Sequence, residues 1–245
     1  LDLSGKRFKF IKLDLSKSSN IPIKTNLIIH LAAVVPYNNK SRAAVVLEEN
    51  SKAFLNVMKF ATKQRAKVVF ISSTDVYPLL VKDYITETTV PLPHNEYGLS
   101  KLICERIGEA ISEIFDIPLT ILRLGPIYSE YDSTANRISN LLHNIKNGKT
   151  IKLNEQKNIL SLIHLENAAE AIGAAAVSMP GKYNIAGIPL SIQDFVNYAI
   201  NQYCSKSKVE SINSDTQSIC LRFDLNHAME CLNWKPFSLD EMFNR

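Results

Sequence analysis

The sequence of 245 residues predicts an α/β fold in which helices cover both faces of a doubly wound parallel sheet. Near-continuous apolar runs recur at residues 26–35, 67–77 and 119–128, as expected of parallel strands that are buried on both faces. Segments with the apolar period of amphipathic helices lie between these runs. Alternation of strands with helices favours a parallel sheet, and ligands bind such sheets at the edge where the strands end.

The first half of the chain contains most of the predicted sheet. Residues 7–15, RFKFIKLDL, alternate charged and apolar side chains and predict a strand that leads into a loop. Residues 26–35 predict a buried strand, and 41–64 a helix. Residues 67–77 predict a second buried strand, which ends in a polar Ser-Ser-Thr-Asp loop. Residues 97–115 predict an amphipathic helix.

The second half is less regular. Residues 119–128 predict a strand followed by a loop, and 137–149 a helix. Residues 161–177 predict a strand followed by a helix, 181–187 a strand, and 190–204 a helix. We interpret two histidines as structural. His30 would pack in the core, and His164 would order its own loop.

Composition excludes several classes of function. Hydrophobic residues make up 46% and charged residues 21% of the chain, as in a globular protein. The net charge of +4 is not clustered into a basic stripe, which argues against a nucleic-acid partner. No apolar run reaches the roughly 20 residues that span a bilayer. The four cysteines lie far apart, which indicates a reducing, cytoplasmic compartment and no metal site.

The stretch EYGLSK raises the question of chemistry. Tyr97 and Lys101 are four residues apart, so a helix places both side chains on one face. The pair can be ordinary helix surface, or a phenol held beside an ammonium for proton transfer. A free phenol has a pKa of about 10 and is a poor base near neutral pH, but a neighbouring ammonium favours the phenolate.

The motifs around this pair decide between the two interpretations. In order they are HLAA (30–33), Asn50, SSTDVY (72–77), YGLSK (97–101), RLGPIY (123–128), IHLENAAEA (163–171) and LNWKP (232–236). In this order and at these intervals, the chain resembles the extended short-chain dehydrogenase/reductase family of NAD-dependent sugar-nucleotide epimerases, dehydratases and reductases. Each motif alone is weak, but the resemblance covers nearly the whole chain. It implies a Rossmann-type fold.

The resemblance implies a catalytic set. Tyr97 would be the acid/base, and Lys101 would lower its pKa and hold the nicotinamide ribose. Ser73 would hydrogen-bond the reacting oxygen, with Thr74 in its place if the loop register is shifted by one. Asn50 would order a helix and a proton-relay water. The structural alternatives are a loop cap for Ser73 and an ordinary helix residue for Asn50.

The resemblance also implies NAD as the cofactor, with NADP left open. The residues expected to contact it are Asp2, Asp14, Leu15, Leu31, Ala32, Ala33, Tyr97 and Lys101. The small side chains of Ala32 and Ala33 would let backbone approach the dinucleotide. Asp14 and Leu15 would contact adenine, although Asp14 can equally be a turn residue. Asp2 would hold the adenosine ribose and favour NAD.

One family feature is not found in this sequence. Family members open with a strand, a glycine loop of the G-x-x-G-x-x-G type and a helix that bind the pyrophosphate. No two of the eight glycines here lie three residues apart. A first βαβ segment of roughly 30 residues is expected upstream of Leu1 in a full enzyme. The alternative is a shortened, non-catalytic relative that acts as a binding or regulatory module.

The motifs narrow the reaction only in part. A 4,6-dehydratase of the family usually has Thr-Asp-Glu before Val-Tyr, and here no Glu follows Asp75. Dehydratase is therefore disfavoured, and epimerase and keto-reductase both stay open. On the substrate side, Pro126 stands where many members have Asn, and Leu160 where many have Arg. Arg222 and Arg137 are possible replacement phosphate contacts, or solvated surface charges.

The resemblance also predicts the organisation and partners of the protein. Residues 1–128 would form an incomplete dinucleotide-binding domain to which 159–188 return. Residues 129–158 and 189–245 would form a small α/β substrate lobe. The substrate would be a nucleotide-activated sugar, with a role in surface-polysaccharide synthesis. A cytoplasmic homodimer is expected, joined through the helix that bears Tyr97 and its neighbour.

Overall fold

A computed structural model gives the structure of the protein. It describes residues 9–35, 43–129, 137–154, 158–212 and 219–243. The strands are β1 (Leu27–His30), β2 (Lys67–Ser73), β3 (Leu119–Leu124), β4 (Ile127–Tyr128), β5 (Ile151–Asn154), β6 (Ile159–Leu160), β7 (Ile163–His164), β8 (Gly181–Ile185), β9 (Leu190–Ser191) and β10 (Val209–Ile212). The helices are α1 (Ala43–Gln64), α2 (Glu96–Phe115), α3 (Arg137–Lys146), α4 (Leu165–Val177), α5 (Ile192–Gln202), α6 (Asn226–Leu232) and α7 (Leu239–Phe243), and a 3-10 turn spans Thr74–Val76.

The main sheet is parallel, in the order β1-β2-β3-β8. Its strands are joined by helical crossovers, so their carboxyl ends lie along one edge. At that edge Ser73 pairs with Leu124, and Leu124 pairs with Ile185. The predicted doubly wound α/β architecture is therefore confirmed.

The side chains of β2 alternate between the two faces of the sheet. Val68 and Phe70 pack with residues of α1 and α2 in one apolar cluster. Val69 and Ile71 point to the other face, where they pack with residues of α4 and α6. Burial on both faces explains why β2 is an unbroken apolar run in the sequence.

A second apolar cluster lies outside the main sheet. Its buried members come from β4, α3, β5, α5 and α7, and they include Tyr128, Leu142, Ile151 and Phe195. The parallel pair β5–β10 belongs to this part of the chain. Among the described residues, no helix is long and apolar enough to span a membrane.

Both histidines have the structural roles predicted for them. His30 is 5% exposed and packs against the rings of Phe54 and Phe70, and burial lowers its pKa to about 4. His164 precedes α4, and its Nδ1 atom accepts a hydrogen bond from the Glu166 amide at 3.3 Å.

The strand predicted over 7–15 is wrong for the residues that the structure describes. Residues 9–14 are irregular and lead into a turn at 15–17. The Asp14 side chain accepts a hydrogen bond from the Ser16 amide at 3.0 Å, which closes this turn. Alternation alone is insufficient because a strand also needs a partner, and Phe10 is 91% exposed instead of packing against one. Two other elements are shorter than predicted, since β1 covers only Leu27–His30 and α3 ends at Lys146.

Candidate active site

The carboxyl-terminal edge of the sheet carries a cavity with a volume of about 560 Å³. Ser73 and Thr74 line it from the end of β2, and Tyr97 from the first turn of α2. The backbone after β3 supplies Gly125 and Pro126 on the opposite side. The topology thus brings together three segments that are distant in sequence.

The start of α2 is fixed against the loop after β2. Asn95 caps the helix, because its side-chain oxygen accepts a hydrogen bond from the Gly98 amide at 2.7 Å. Its side-chain nitrogen also donates to the Asp75 carboxylate at 3.4 Å. Gly98 lies against the Asp75 backbone so closely that a β-carbon there would sit 2.1 Å from the Asp75 carbonyl oxygen. This contact sets how near Tyr97 comes to the Ser73 loop.

Lys101 is buried beneath the cavity, with 2% of its surface exposed. Its Nζ atom donates to the backbone carbonyl of Ile71 at 2.7 Å. It lies 5.5 Å from the centroid of the Tyr97 ring and 5.1 Å from that of Phe70. Burial lowers the pKa of Lys101 to about 8, while the neighbouring Cys104 and Glu105 act in the opposite direction.

The pKa of Tyr97 differs from the sequence-based expectation that Lys101 lowers it. Burial, with a smaller contribution from the negative charge of Asp75, raises this pKa to about 12. The physical reason is burial of the phenol, and the Lys101 ammonium is hydrogen-bonded to the Ile71 carbonyl instead. Tyr97 is therefore a protonated phenol throughout the physiological pH range.

The contribution of Asp75 can be tested directly. Asp75→Asn removes the negative charge that disfavours the phenolate, so we expect the pKa of Tyr97 to fall below its wild-type value. Absorbance at 295 nm, recorded against pH and referenced to a Tyr97→Phe protein, isolates this one phenol. An unchanged titration curve would show that the Asp75 charge does not reach the Tyr97 ring.

Ser73 has the capping role that was its structural alternative, and its role toward a reacting oxygen stays a prediction. Its Oγ atom accepts a hydrogen bond from the Asp75 amide at 3.1 Å, which makes it the cap of the 3-10 turn. The residue is half-buried and also lines the cavity. Thr74 lines the same cavity but is only 2% exposed.

Asn50 connects the loop after β1 to the helix that bears Tyr97. Its side chain accepts from the Val34 amide at 2.7 Å and donates to the Val34 carbonyl at 3.1 Å. It also donates to Ser100 Oγ at 2.9 Å, and Ser100 donates to the Tyr97 carbonyl at 2.8 Å. This buried residue makes long-range hydrogen bonds, so it is more than an ordinary helix residue.

A separate groove of about 250 Å³ brings together four of the eight residues expected to contact the cofactor. Asp14, Leu15, Ala32 and Ala33 line it, together with Asn50. The two alanines are exposed, so a ligand can reach their backbone. The Asp14 carboxylate bonds to Lys17 and Ser16, which lowers its pKa to about 2.

The other predicted contacts divide into four groups. Leu31 is 61% exposed beside the groove but does not line it. Asp2 lies outside the described residues. Pro126 and Arg137 line the large cavity. Arg222 does not, because its guanidinium donates to the Lys82 carbonyl at 3.1 Å and lies over the Tyr84 ring.

Sequence reasoning missed two sets of residues. The apolar cavity wall includes Ile138, which the sequence offered no means of selecting. Beneath the site lies a buried ion pair between Glu105 and Arg123. One signal could have located Glu105. It follows Lys101 by four residues, so the inward face of α2 that holds Lys101 must hold Glu105 as well.

Comparison with known proteins identifies a family whose sequence model matches most of the chain. The model of the NAD dependent epimerase/dehydratase family matches residues 2–186. A curated dTDP-L-rhamnose 4-epimerase of Burkholderia thailandensis is 26% identical over 160 residues, which are 61% of this chain and 44% of that protein. The chain thus spans less than half the length of this relative.

Solved structures resemble the chain in fold. One is the dTDP-glucose 4,6-dehydratase of Streptomyces venezuelae with NAD and TYD bound, which has a TM-score of 0.83 at 18% identity. The matched region covers 99% of this chain and 80% of the dehydratase chain. Another is the UDP-glucose 4-epimerase of Thermotoga maritima with UDP-glucose, which has a TM-score of 0.78 at 19% identity. The matched region covers 89% of this chain and 74% of the epimerase chain. At these identities the similarity shows a common Rossmann-type fold.

Proposed function

Because this chain belongs to the NAD-dependent epimerase/dehydratase family, we propose that it acts as a nicotinamide-dependent epimerase or keto-reductase on a nucleotide-activated sugar. The observation that carries the proposal is the meeting of Ser73 and Tyr97 in the wall of one cavity. Lys101 is hydrogen-bonded to Ile71, another residue of that wall. A hydroxyl, a phenol and an ammonium are suited to move a proton to or from a sugar oxygen.

Tyr97 exchanges the proton in this proposal. With a pKa of about 12, its phenol would donate a proton to the keto oxygen in the reductive step. In the oxidative step of an epimerase, the phenolate would take the proton of the sugar hydroxyl. Lys101, protonated below its pKa of about 8, would place its positive charge 5.5 Å from the centroid of the Tyr97 ring. Ser73 orients the same oxygen by a hydrogen bond from its hydroxyl.

The groove beside Asn50 fits one half of a nicotinamide dinucleotide. The backbone of Ala32 and Ala33 would approach it, and Asp14 and Leu15 would contact its adenine. Lys101 would hold the ribose next to the nicotinamide. The bound cofactor would supply the hydride donor and acceptor of the reaction. The sequence contains no glycine loop of the family type, so we make no assignment for the pyrophosphate.

The cavity wall suits the sugar part of the substrate. Leu124, Pro126 and Ile127 offer apolar contacts to one face of a sugar ring. Arg137 is exposed among the cavity residues, where a guanidinium can bind a diphosphate. The names of two related proteins, which refer to dTDP-L-rhamnose and UDP-glucose, support a nucleotide sugar as the substrate class.

Turnover with a panel of UDP- and dTDP-hexoses and their 4-keto forms tests the proposal. An epimerase interconverts two sugars without net change in absorbance at 340 nm. A keto-reductase consumes one reduced cofactor for each 4-keto sugar. Titration of NADH and NADPH fluorescence measures cofactor binding separately. A folded protein that binds neither dinucleotide and turns over no sugar would contradict the proposal and favour a binding or regulatory module.

We extend the proposal to assembly and setting. A cytoplasmic homodimer joined through α1 and α2 is supported by outward apolar side chains on these helices, such as Val45 and Leu99, which are 43% and 39% exposed. Residues 1–128 with 159–188 would bind the cofactor, and the rest of the chain the sugar. Synthesis of surface polysaccharide is the setting that a nucleotide-sugar substrate suggests.

A further inference from the structure

We propose that Ser72, Glu105 and Arg123 form a positioning cluster that holds Lys101 and Ser73 in their working arrangement. The inference rests on the proposed function, because that function gives Lys101 and Ser73 their catalytic roles. Ser72 also lines the large cavity, whereas Glu105 and Arg123 do not, and we assign none of the three a reacting role. They act through the elements that carry the site.

The cluster is centred on a fully buried carboxylate. Arg123 donates from Nε to Glu105 Oε1 at 3.0 Å and from Nη2 to Oε2 at 2.7 Å, and Ser72 Oγ donates to Oε1 at 2.6 Å. The exposed fractions are 0% for Glu105, 1% for Arg123 and 2% for Ser72. A two-point guanidinium–carboxylate contact has a fixed planar geometry, so it determines orientation as well as distance.

Each member is adjacent in sequence to part of the site. Ser72 lies between Ile71, whose carbonyl receives the Lys101 ammonium, and Ser73. Glu105 lies one helical turn after Lys101 on α2. The cluster therefore ties the end of β2 to α2 at the level where Lys101 crosses between them.

Arg123 links the third element. It lies near the end of β3, and the next residues, 124–127, form a wall of the cavity. Its Nη1 atom also donates to the Tyr77 hydroxyl at 2.6 Å, and Tyr77 donates to Asn184 on β8 at 2.8 Å. One carboxylate thus fixes the relative positions of β2, β3 and α2, which hold all the proposed reacting groups.

Stability alone is a weak explanation for such a cluster. Apolar residues of similar volume often replace a buried ion pair without loss of stability, because burial of two charges has a large desolvation cost. What an apolar core does not provide is a directional restraint. Catalysis needs one, since a misplacement of about 1 Å can lower the rate about 10²-fold.

The first test compares two serine-to-alanine variants. Ser72→Ala removes the bond to Glu105 and keeps the ion pair. Ser112→Ala is the matched control, because it removes a bond of the same length, 2.6 Å, to the Ile117 carbonyl at the far end of α2. We expect Ser72→Ala to lower kcat at least about tenfold with little change in KM, and Ser112→Ala to leave kcat unchanged. Equal kcat values in the two variants would overturn the proposal.

The second test needs no substrate, so its outcome does not depend on whether the proposed function is correct. Lys101 is titrated by NMR of protein labelled with ¹³C-lysine, with Lys101→Arg used to assign the signal. In Glu105→Gln we expect the pKa of Lys101 to fall below the wild-type value of about 8. The variant loses a negative charge near the ammonium and leaves the Arg123 charge uncompensated.

Other charges near Lys101 must stay constant in this comparison. The titratable groups that face Lys101 or its partner Tyr97 are Cys104 and Glu105 on α2, His30 at the end of β1, and Asp75 in the 3-10 turn. Only Glu105 is changed. An unaltered Lys101 pKa in a folded Glu105→Gln protein would contradict the cluster. If this variant does not fold, the kcat comparison of Ser72→Ala with Ser112→Ala still decides the question.

Discussion

Tyr97→Phe is expected to lower kcat by about 10² to 10⁴-fold, the usual contribution of a positioned acid or base. The substitution removes one oxygen atom and leaves the ring. Among the described residues the Tyr97 hydroxyl has no hydrogen-bond partner, so the substitution leaves none unsatisfied. Stability and cofactor affinity should therefore change little, and the loss should fall on the chemical step.

Tyr183→Phe provides the matched control. It makes the same chemical change at a buried tyrosine whose hydroxyl donates to the Met179 carbonyl at 3.2 Å, away from the cavity. Its kcat should equal that of the wild type. The measurements are kcat and KM for the identified sugar, thermal unfolding, and NADH fluorescence titration. If Tyr97→Phe retained wild-type kcat, Tyr97 would not be the proton-transfer group and the proposed mechanism would be wrong.

The family and the central strands could be predicted from sequence because both depend on local patterns. The apolar run from Lys67 to Ser73 needs burial on both faces, and β2 satisfies that need between two layers of helices. The failure at 7–15 shows the limit of the same reasoning. An alternating segment forms a strand only if a neighbouring strand is available to pair with it. The residues of the segment itself do not specify that neighbour.

The proximity of Tyr97 and Lys101 could be predicted from sequence, whereas the pKa values of the two groups could not. A four-residue spacing places Tyr97 and Lys101 on one helix face, and the structure has them there. The spacing contains no information about which acceptor receives the lysine ammonium. That acceptor is the carbonyl of Ile71, 30 residues earlier in the chain. Burial of the phenol raises the Tyr97 pKa, although the local pattern suggested that it would fall.

The ion pair beneath the site illustrates a second limit. A glutamate on a helix is most often solvated, and Glu105 is instead fully buried. Its burial depends on Arg123, which arrives from β3 and not from the same helix. Long-range pairing of this kind becomes visible only when the strand order is known.

Gly98→Ala is expected to impair both stability and catalysis. A β-carbon at this position would lie 2.1 Å from the Asp75 carbonyl oxygen and 3.1 Å from the Asp75 side chain. The obstacle is backbone, so α2 and the 3-10 turn must separate by about 1 Å to relieve it. We expect the free energy of unfolding to fall by about 1–3 kcal/mol, as for other overpacked sites.

The same displacement would separate the reacting groups. Tyr97 immediately precedes Gly98, and Ser73 immediately precedes the turn that contains Asp75. A shift of about 1 Å between them should lower kcat about 10²-fold, with a smaller effect on cofactor binding. Chemical denaturation and steady-state kinetics on the same preparation measure the two effects.

Gly173→Ala is the control for this substitution. Gly173 lies inside α4, and a β-carbon there would meet no atom within 4 Å. Alanine should therefore raise stability by about 0.5–1 kcal/mol through its better helix propensity, with no change in kcat. If Gly98→Ala behaved like Gly173→Ala, the close approach of α2 to the Ser73 loop would not be what sets the active-site geometry. If only Gly98→Ala lowered both stability and kcat, one backbone contact would determine both the packing of α2 and the distance between Ser73 and Tyr97.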